Sequence, residues 1–502
     1  MRSDDASDWI QRAGGGPGHR RGRMLVLLVL AGFAIALTVL VPSGIGSSWR
    51  ECDTQAIARN FVLDDFDLLR PRVDWRGNTD GAVECEFPLY QALIAAVMEF
   101  AGLVEWPGRV LSMLFTLLAG WMLYLLLERR SGANGALAGL LVFLCSGSAP
   151  LLAVRVMPDG LSLAAGLAGM LAFVHYLANG RLVALLAAVA AMTIAGLQKP
   201  LALQLGLVMF GWTVALRPAR LRDARLWLGW LTIPAIVAAW LLHAASLHAE
   251  TGLTFGVVSG GDTKFPDLPH LFDASTYGGM FSATLQYGMP VFAVLALAVL
   301  AARRRLDAAD AALLAAVAIG LLVSMRYSCS TGLGPHYHAF AAVAGAWLVA
   351  RAWPRRAPRW LWLVLLLGVA VHGAWRVRFE RGLRIVVNSQ PLAVAARAVA
   401  PGLRGDDLLL VRGDLPAVDD EWQRPNNFEN PSVHALTSSR GWVVAFDDWS
   451  IATLADRHRR GASIAFDTFP ERTAPEVLAW LDAHGERIHD DAGARVHRLL
   501  QR

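Results

Sequence analysis

The sequence predicts a mainly α, polytopic transmembrane helical bundle of about eleven spans, with the N-terminus inside, the C-terminus outside and a small extracytoplasmic α/β domain at the C-terminal end. Three observations predict it. Of 502 residues, 55% are hydrophobic and only 17% are charged, which is more apolar surface than a soluble chain of this size can cover. The apolar residues fall in blocks, among them 24–41, 108–127, 161–177, 226–242 and 360–371, near or above the length that crosses a hydrocarbon core. Beyond residue 375 the composition shifts abruptly toward Asp, Arg, His and Asn.

Residues 1–23 are charged and glycine-rich, and no small-residue cleavage site follows a short apolar core. They read as a cytoplasmic tail rather than a signal peptide, with 24–42 as a retained first span and Arg20, Arg21 and Arg23 on its inner side. The net charge of +5 does not point to nucleic acid, because the arginines sit between apolar blocks where topology explains them. Clusters at Arg129–Arg130, 217–225, 303–305 and 351–359, all placed inside, fix the spans near 24–42, 107–127, 133–152, 158–178, 181–198, 200–217, 226–247, 289–302, 309–325, 335–352 and 358–375. An odd number puts the C-terminus outside. The apolar stretch 87–103 tests the count. Read as a span, it would carry Arg129 and Arg130 outside, so it is expected at the interface or as a shallow re-entrant helix, with Glu84 and Glu86 outside.

Three regions follow: the tail 1–23, a membrane domain 24–375 whose first outer loop is 43–106, and an α/β domain 376–502. In the last, the apolar runs 408–411, 442–446 and 464–466 read as strands, and 450–458 and 474–484 as helices. No internal repeat is evident. Cys52 and Cys85 bracket the first outer loop. They are equally compatible with a disulfide in an oxidising periplasm and with two small unpaired residues. Cys145 and Cys329 fall near outer span ends.

The first outer loop carries the chemistry. Glu51 and Asp53 stand just outside the first span, and Glu84 and Glu86 form a second acid pair. Between them lie Arg50, Arg59, Arg70, Arg72 and Arg76. A solvated loop would need no more than this. Interleaving with Trp49, Phe61, Phe66, Trp75 and Phe87 favours a loop docked on the membrane, where a low-dielectric surface tunes carboxylate pKa values toward general-base work.

The Glu-x-Asp run after span one, the segment Pro71-Arg72-Val73-Asp74-Trp75-Arg76-Gly77 and the run Glu86-Phe87-Pro88-Leu89-Tyr90 resemble the first loop of GT-C glycosyltransferases. The branch resembled contains protein O-mannosyltransferases and the aminoarabinose transferases of lipid A (glycosyltransferase family 39-like). The resemblance is sharpest over 45–130. It continues through Arg155-Val156-Met157-Pro158-Asp159, Gln198-Lys199-Pro200 and His336-Tyr337-His338, and Ser438-Ser439-Arg440-Gly441-Trp442 is similar to a late signature of related chains. It implies a GT-C catalytic domain over 24–375 and a polyprenyl-phosphate sugar donor. The implied acceptor is a hydroxyl of a glycan, lipid or protein at the periplasmic face of a bacterial inner membrane. Asp53 matches the family's catalytic base and Glu86 the acid of its second motif, with Glu51 as a further partner. The basic residue usual after that second acid is Phe87 here, so phosphate binding has to come from elsewhere.

Transfer from a lipid phosphate needs a base for the acceptor hydroxyl and cations for the leaving phosphate. Arg155, Lys199, Lys264, Arg326 and His336, with Tyr337 and His338 beside it, are the candidates for donor and phosphate binding. Each alone reads as a snorkelling interface charge; as a set on one side they make an anion site. No metal or other cofactor is expected. A divalent cation on Glu51, Asp53, Glu84 and Glu86 with Cys52 and Cys85 is the alternative. Trp422 or Trp442 could stack on a sugar, against a plainer reading as core aromatics. Two other functions stay open: a transporter or flippase of lipid-linked substrates, and an O-antigen polymerase or ligase, whose key arginines would lie in loops such as 248–288 with Gly260-Gly261-Asp262-Thr263-Lys264.

Overall fold

The computed structural model describes residues 9–11, 17–42, 48–261, 264–330, 334–491 and 493–500. Most of the tail 1–23, and Asp262 and Thr263 of the glycine-led run, lie outside the described residues. The chain divides into two compact units. One comprises 1–41, 109–239 and 264–381, the other 42–108, 240–263 and 382–502.

Among the described residues, five helices are long and apolar enough to cross a membrane: Gly22–Leu40, Trp106–Cys145, Asp159–Asn179, Ala224–Thr251 and Arg359–Val387. A sixth forms if the pair Ala274–Gly288 and Val291–Ala302, bent by 105°, is one span. The chain is therefore a multi-pass membrane protein. The expected spans 107–127 and 133–152 fall on Trp106–Cys145, two helices that meet at a kink at Gly132 (φ 79°, ψ 171°), a backbone shape that suits glycine. Leu182–Gln198, Pro200–Leu216, Ala308–Val323 and Ala339–Ala352 are helical where spans were expected, but at 17 residues or fewer they are short for a hydrocarbon core. Lys199-Pro200 divides the first two: its proline cannot continue the preceding helix.

In the first unit the arginine clusters meet at one end. Arg23 pairs with Glu128 at 3.2 Å. Arg129 touches His175 at 2.8 Å, next to Tyr176, which bonds Asp223 and lies under Arg220. Arg130 pairs with Asp307, and Arg351 pairs with Asp310 at 3.0 Å and bonds the Arg305 carbonyl at 2.9 Å. Charges scattered over more than 300 residues of sequence thus neutralise one another on one side, which is the asymmetry that positive loops impose.

The second unit is built on a five-stranded mixed sheet. Its strands are β1 (Leu408–Arg412), β2 (Arg440–Val444), β3 (Ala462–Asp467), β4 (Gly485–Asp491) and β5 (Ala494–Leu499), in the order β2-β1-β3-β5-β4. The first three are parallel; β5 runs antiparallel to β3 and β4. Strand alternation splits the apolar residues between two faces. Leu409, Val411, Val443, Ile464, Phe466 and Val496 share a core with Ile57, Phe61 and Val433. Leu410, Trp442, Val444 and Ala465 share another with Leu454, Val477 and Leu481 of the covering helices. Residue 376, where the α/β domain was expected to begin, lies inside the unbroken helix Arg359–Asn388; the unit boundary falls at Gly382. Helix Leu89–Ala101, on the stretch tested as a span, has 13 residues, about 20 Å at 1.5 Å per residue. It packs Ala92 and Ala95 into the unit and leaves Phe100 93% exposed.

Candidate active site

Asp53 sits on the helix Trp49–Leu63. The run Ser48-x-x-Glu51 is an N-cap pattern, and the Ser48 side chain accepts from the Glu51 amide. Glu51 does not close the box: its carboxylate turns to Arg384 at 3.0 Å, a pair almost wholly buried on both sides. Two residues on, the Asp53 carboxylate is 6% exposed and accepts from Nε1 of Trp75 at 2.9 Å. Burial pushes its pKa up to about 7, against the lowering effects of the Trp75 hydrogen bond and the nearby Arg50. A carboxyl in that range exchanges protons near neutrality, which is what a general base needs.

The loop that carries Trp75 is fixed at both ends. Asp74 is buried and accepts from Arg59 at 2.5 Å and from Asn60 at 3.1 Å. Gly77 (φ 55°) donates to the Gly441 carbonyl at 2.7 Å, and Gly441 donates to the Asp74 carbonyl at 3.1 Å. A Cβ at Gly77 would meet the Trp442 indole at 2.3 Å, so only glycine lets the loop lie on that ring. Arg440 of the same late run reaches Asp64 at 2.5 Å. The late signature therefore holds the first loop in place, and Trp442 is a core aromatic, as is the largely buried Trp422 in exposure.

Glu86 pairs with Arg50, whose guanidinium lies 5.2 Å over Phe255. Phe87, in the place of the family's basic residue, instead meets Trp240 edge-on at 4.9 Å. The cation next to the second acid thus comes from the preceding helix. Glu84 is turned elsewhere, to Thr254 and the amides of Val258 and Ser259. Cys52 and Cys85 are free and buried, and burial raises both thiols far above the reactive range. Glu51, Glu84 and Glu86 each face a different partner, and among the described residues no group of three or more His, Cys, Asp or Glu is placed to hold a metal ion.

The other candidates belong to the first unit. Lys199 pairs with Asp159 at 3.4 Å and lies 4.8 Å over Tyr337, which stacks on Tyr327 at 5.7 Å. Lys264 and Arg326 lie over the Tyr327 ring at 5.6 and 5.9 Å, and His336 touches Tyr337 at 4.5 Å. Five of the seven residues assigned to donor binding thus gather on one pair of tyrosine rings. Arg155 stands apart, paired with Glu380 at 3.4 Å; Glu380 also pairs with the buried Arg376 at 3.5 Å. His338 is fully buried, with Nε2 3.1 Å from the Ser328 carbonyl and Nδ1 3.2 Å from Thr284. Its ring is held from both sides by these two contacts.

Sequence reasoning missed Arg384 and Arg376 as partners of acids. The signal was present: Arg376, Glu380 and Arg384 recur every four residues in the helix Arg359–Asn388, the spacing of one face.

Comparison with known proteins fits this layout. The profile of the dolichyl-phosphate-mannose-protein mannosyltransferase family matches residues 86–243. The solved structure of ArnT from Cupriavidus metallidurans in the apo state superposes with a TM-score of 0.59 over 95% of this chain and 98% of that one, at 16% sequence identity. The chain shares the fold of ArnT. A second structure of the same ArnT, bound to undecaprenyl phosphate, matches with a TM-score of 0.57 at 16% identity, covering 94% of this chain and 97% of ArnT. At that identity the GT-C fold is what is shared. Among curated proteins no sequence match is found.

Proposed function

We propose that the chain is an integral-membrane glycosyltransferase of the bacterial inner membrane. It moves a sugar from a polyprenyl-phosphate donor to a hydroxyl of a glycan, lipid or protein at the periplasmic face. The observation that carries this reading is Asp53: a buried carboxyl titrating near neutrality, in a chain whose solved GT-C relative was captured with undecaprenyl phosphate.

In the proposed reaction, Asp53 takes the proton of the acceptor hydroxyl as its oxygen attacks C1 of the donor sugar. The C1–oxygen bond to the phosphate breaks, and the electron pair leaves with the polyprenyl phosphate. Arg50, held by Glu86, stabilises the ionised form of Asp53. Lys199, Lys264, Arg326 and His336 are assigned the lipid phosphate, where positive charge fixed in advance is commonly the larger share of the rate. Arg155, paired with Glu380, is a further candidate for that phosphate.

The test is transfer of label from a polyprenyl-phosphate hexose into membrane extract by the purified, lipid-embedded protein. Asp53→Asn is expected to insert normally and to lose transfer by about 10²–10⁴-fold, the usual share of a positioned base. Ordinary turnover by that variant would remove Asp53 as the base.

A further inference from the structure

The second unit contains a cavity of about 530 Å³ that none of the transfer chemistry uses. It opens where the parallel strands end. Asp414 follows β1, and Thr468 and Phe469 follow β3; all three line it. From β1 the chain leaves toward β2, and from β3 toward β5 and β4, because the order is β2-β1-β3-β5-β4. Adjacent strands whose connections part in opposite directions leave a crevice at their carboxyl ends, the position where open α/β sheets bind ligands. The volume lies within the range of small-molecule sites.

The lining says which ligand. Trp49 and Phe469 line it; the Phe469 ring also meets Phe446 at 5.5 Å and Arg472 at 5.8 Å, whereas the Trp49 indole is half-buried and has neither a ring partner nor a hydrogen-bond partner among the described residues. Asn430 is held ready: its amide donates to Asp414 at 3.2 Å, and its carbonyl accepts from the Ser432 amide at 3.0 Å. Gln390 is exposed at the rim. The charged residues are Asp414, Glu471 and Arg397, a net negative set that disfavours phosphates. The turn after β1, Arg412-Gly413-Asp414-Leu415, also lacks the glycine pattern of a phosphate loop. Flat apolar faces beside carboxylate and amide groups match the two kinds of surface of a pyranose, C–H on its faces and hydroxyls on its edge.

We propose that this crevice is a glycan-binding pocket that takes a neutral pyranose. The inference does not depend on Asp53 or on transfer.

The test uses the full chain in lipid nanodiscs, free of sugar-based detergent. Saturation-transfer NMR is recorded against the methyl glycosides of mannose, glucose, galactose and N-acetylglucosamine. At least one is expected to bind saturably in the millimolar range. Asp414→Ala and the exposed-rim variant Gln390→Ala are expected to weaken it at least fivefold with unchanged melting temperature, and Asp53→Asn to leave it intact. Absence of saturable binding to all four, or binding undiminished in the Asp414→Ala/Gln390→Ala double variant, overturns the proposal. Because Asp53→Asn is judged by transfer and this pocket by binding, either reading can fail alone.

Discussion

The indole nitrogen of Trp75 donates to Oδ1 of Asp53 at 2.9 Å, across 22 residues of a loop that is itself pinned to β2 through Gly77 and Gly441. That bond favours the ionised carboxylate, while burial favours the protonated one and prevails, leaving the pKa at about 7. The base form grows as pH rises, so transfer is expected to climb through about pH 7 and level off above it. Trp75→Phe keeps the ring and removes the donor, which raises the Asp53 pKa further. The acid limb of the kcat profile then moves to higher pH, and the rate at neutral pH falls while the alkaline plateau is retained. An unmoved limb in Trp75→Phe would show that this bond does not set the proton affinity of the base.

Glu51 and Arg384 make a second finding with an energetic consequence. Their side chains are 2% and 3% exposed, so deleting one leaves a buried charge without its counterion, a loss of about 3–5 kcal/mol where such pairs have been broken. Glu51→Ala and Arg384→Ala are each expected to lower the melting temperature markedly, and Glu51→Gln/Arg384→Met to recover much of it. Single variants as stable as the parent would mean that the pair contributes nothing to folding.

Membrane character and the first-loop acids were legible because both are written locally. Apolar blocks announce helices, and Glu51, Asp53 and Glu86 stand within short runs. The strands β1, β2 and β3 coincide with the apolar runs 408–411, 442–446 and 464–466 for the same reason. The breaks at Gly132 and Lys199-Pro200 fall between spans the sequence had already separated, because Arg129–Arg130 and the proline mark them locally. Helix lengths were not legible, since hydropathy does not say where a helix is capped. The pairing of charges was hidden too. Arg384 reaches Glu51 over 333 residues and Arg155 reaches Glu380 over 225, separations at which no sequence window carries a signal. Lys199, Lys264, Arg326 and His336 were found as a set only by assuming one side of the membrane; what joins them, the ring pair Tyr327–Tyr337, has no sequence pattern.

The meeting of Arg130, Asp307 and Arg351 places two expected inner loops and a helix end at one level. Reporter fusions after Arg130 and after Arg305 are expected to signal cytoplasm alike. A periplasmic signal at Arg130 with a cytoplasmic one at Arg305 would contradict their shared end and require 87–103 to cross.

Lys199 offers the sharpest test of the cationic cluster, because its two roles separate. It neutralises Asp159 at 3.4 Å, whose buried Oδ2 has no hydrogen-bond partner among the described residues, and it projects over Tyr337. Lys199→Met removes both functions, so a loss of donor affinity alone would be ambiguous. In Lys199→Met/Asp159→Asn the stranded carboxylate is gone and stability is expected to return. If the ammonium binds the lipid phosphate, KM for the donor stays raised by about tenfold, the scale of one charge-assisted contact of about 1.4 kcal/mol, with a smaller change in kcat. If the double variant regains the parent KM together with its stability, Lys199 serves only to neutralise Asp159 and the phosphate assignment of the cluster loses its strongest member.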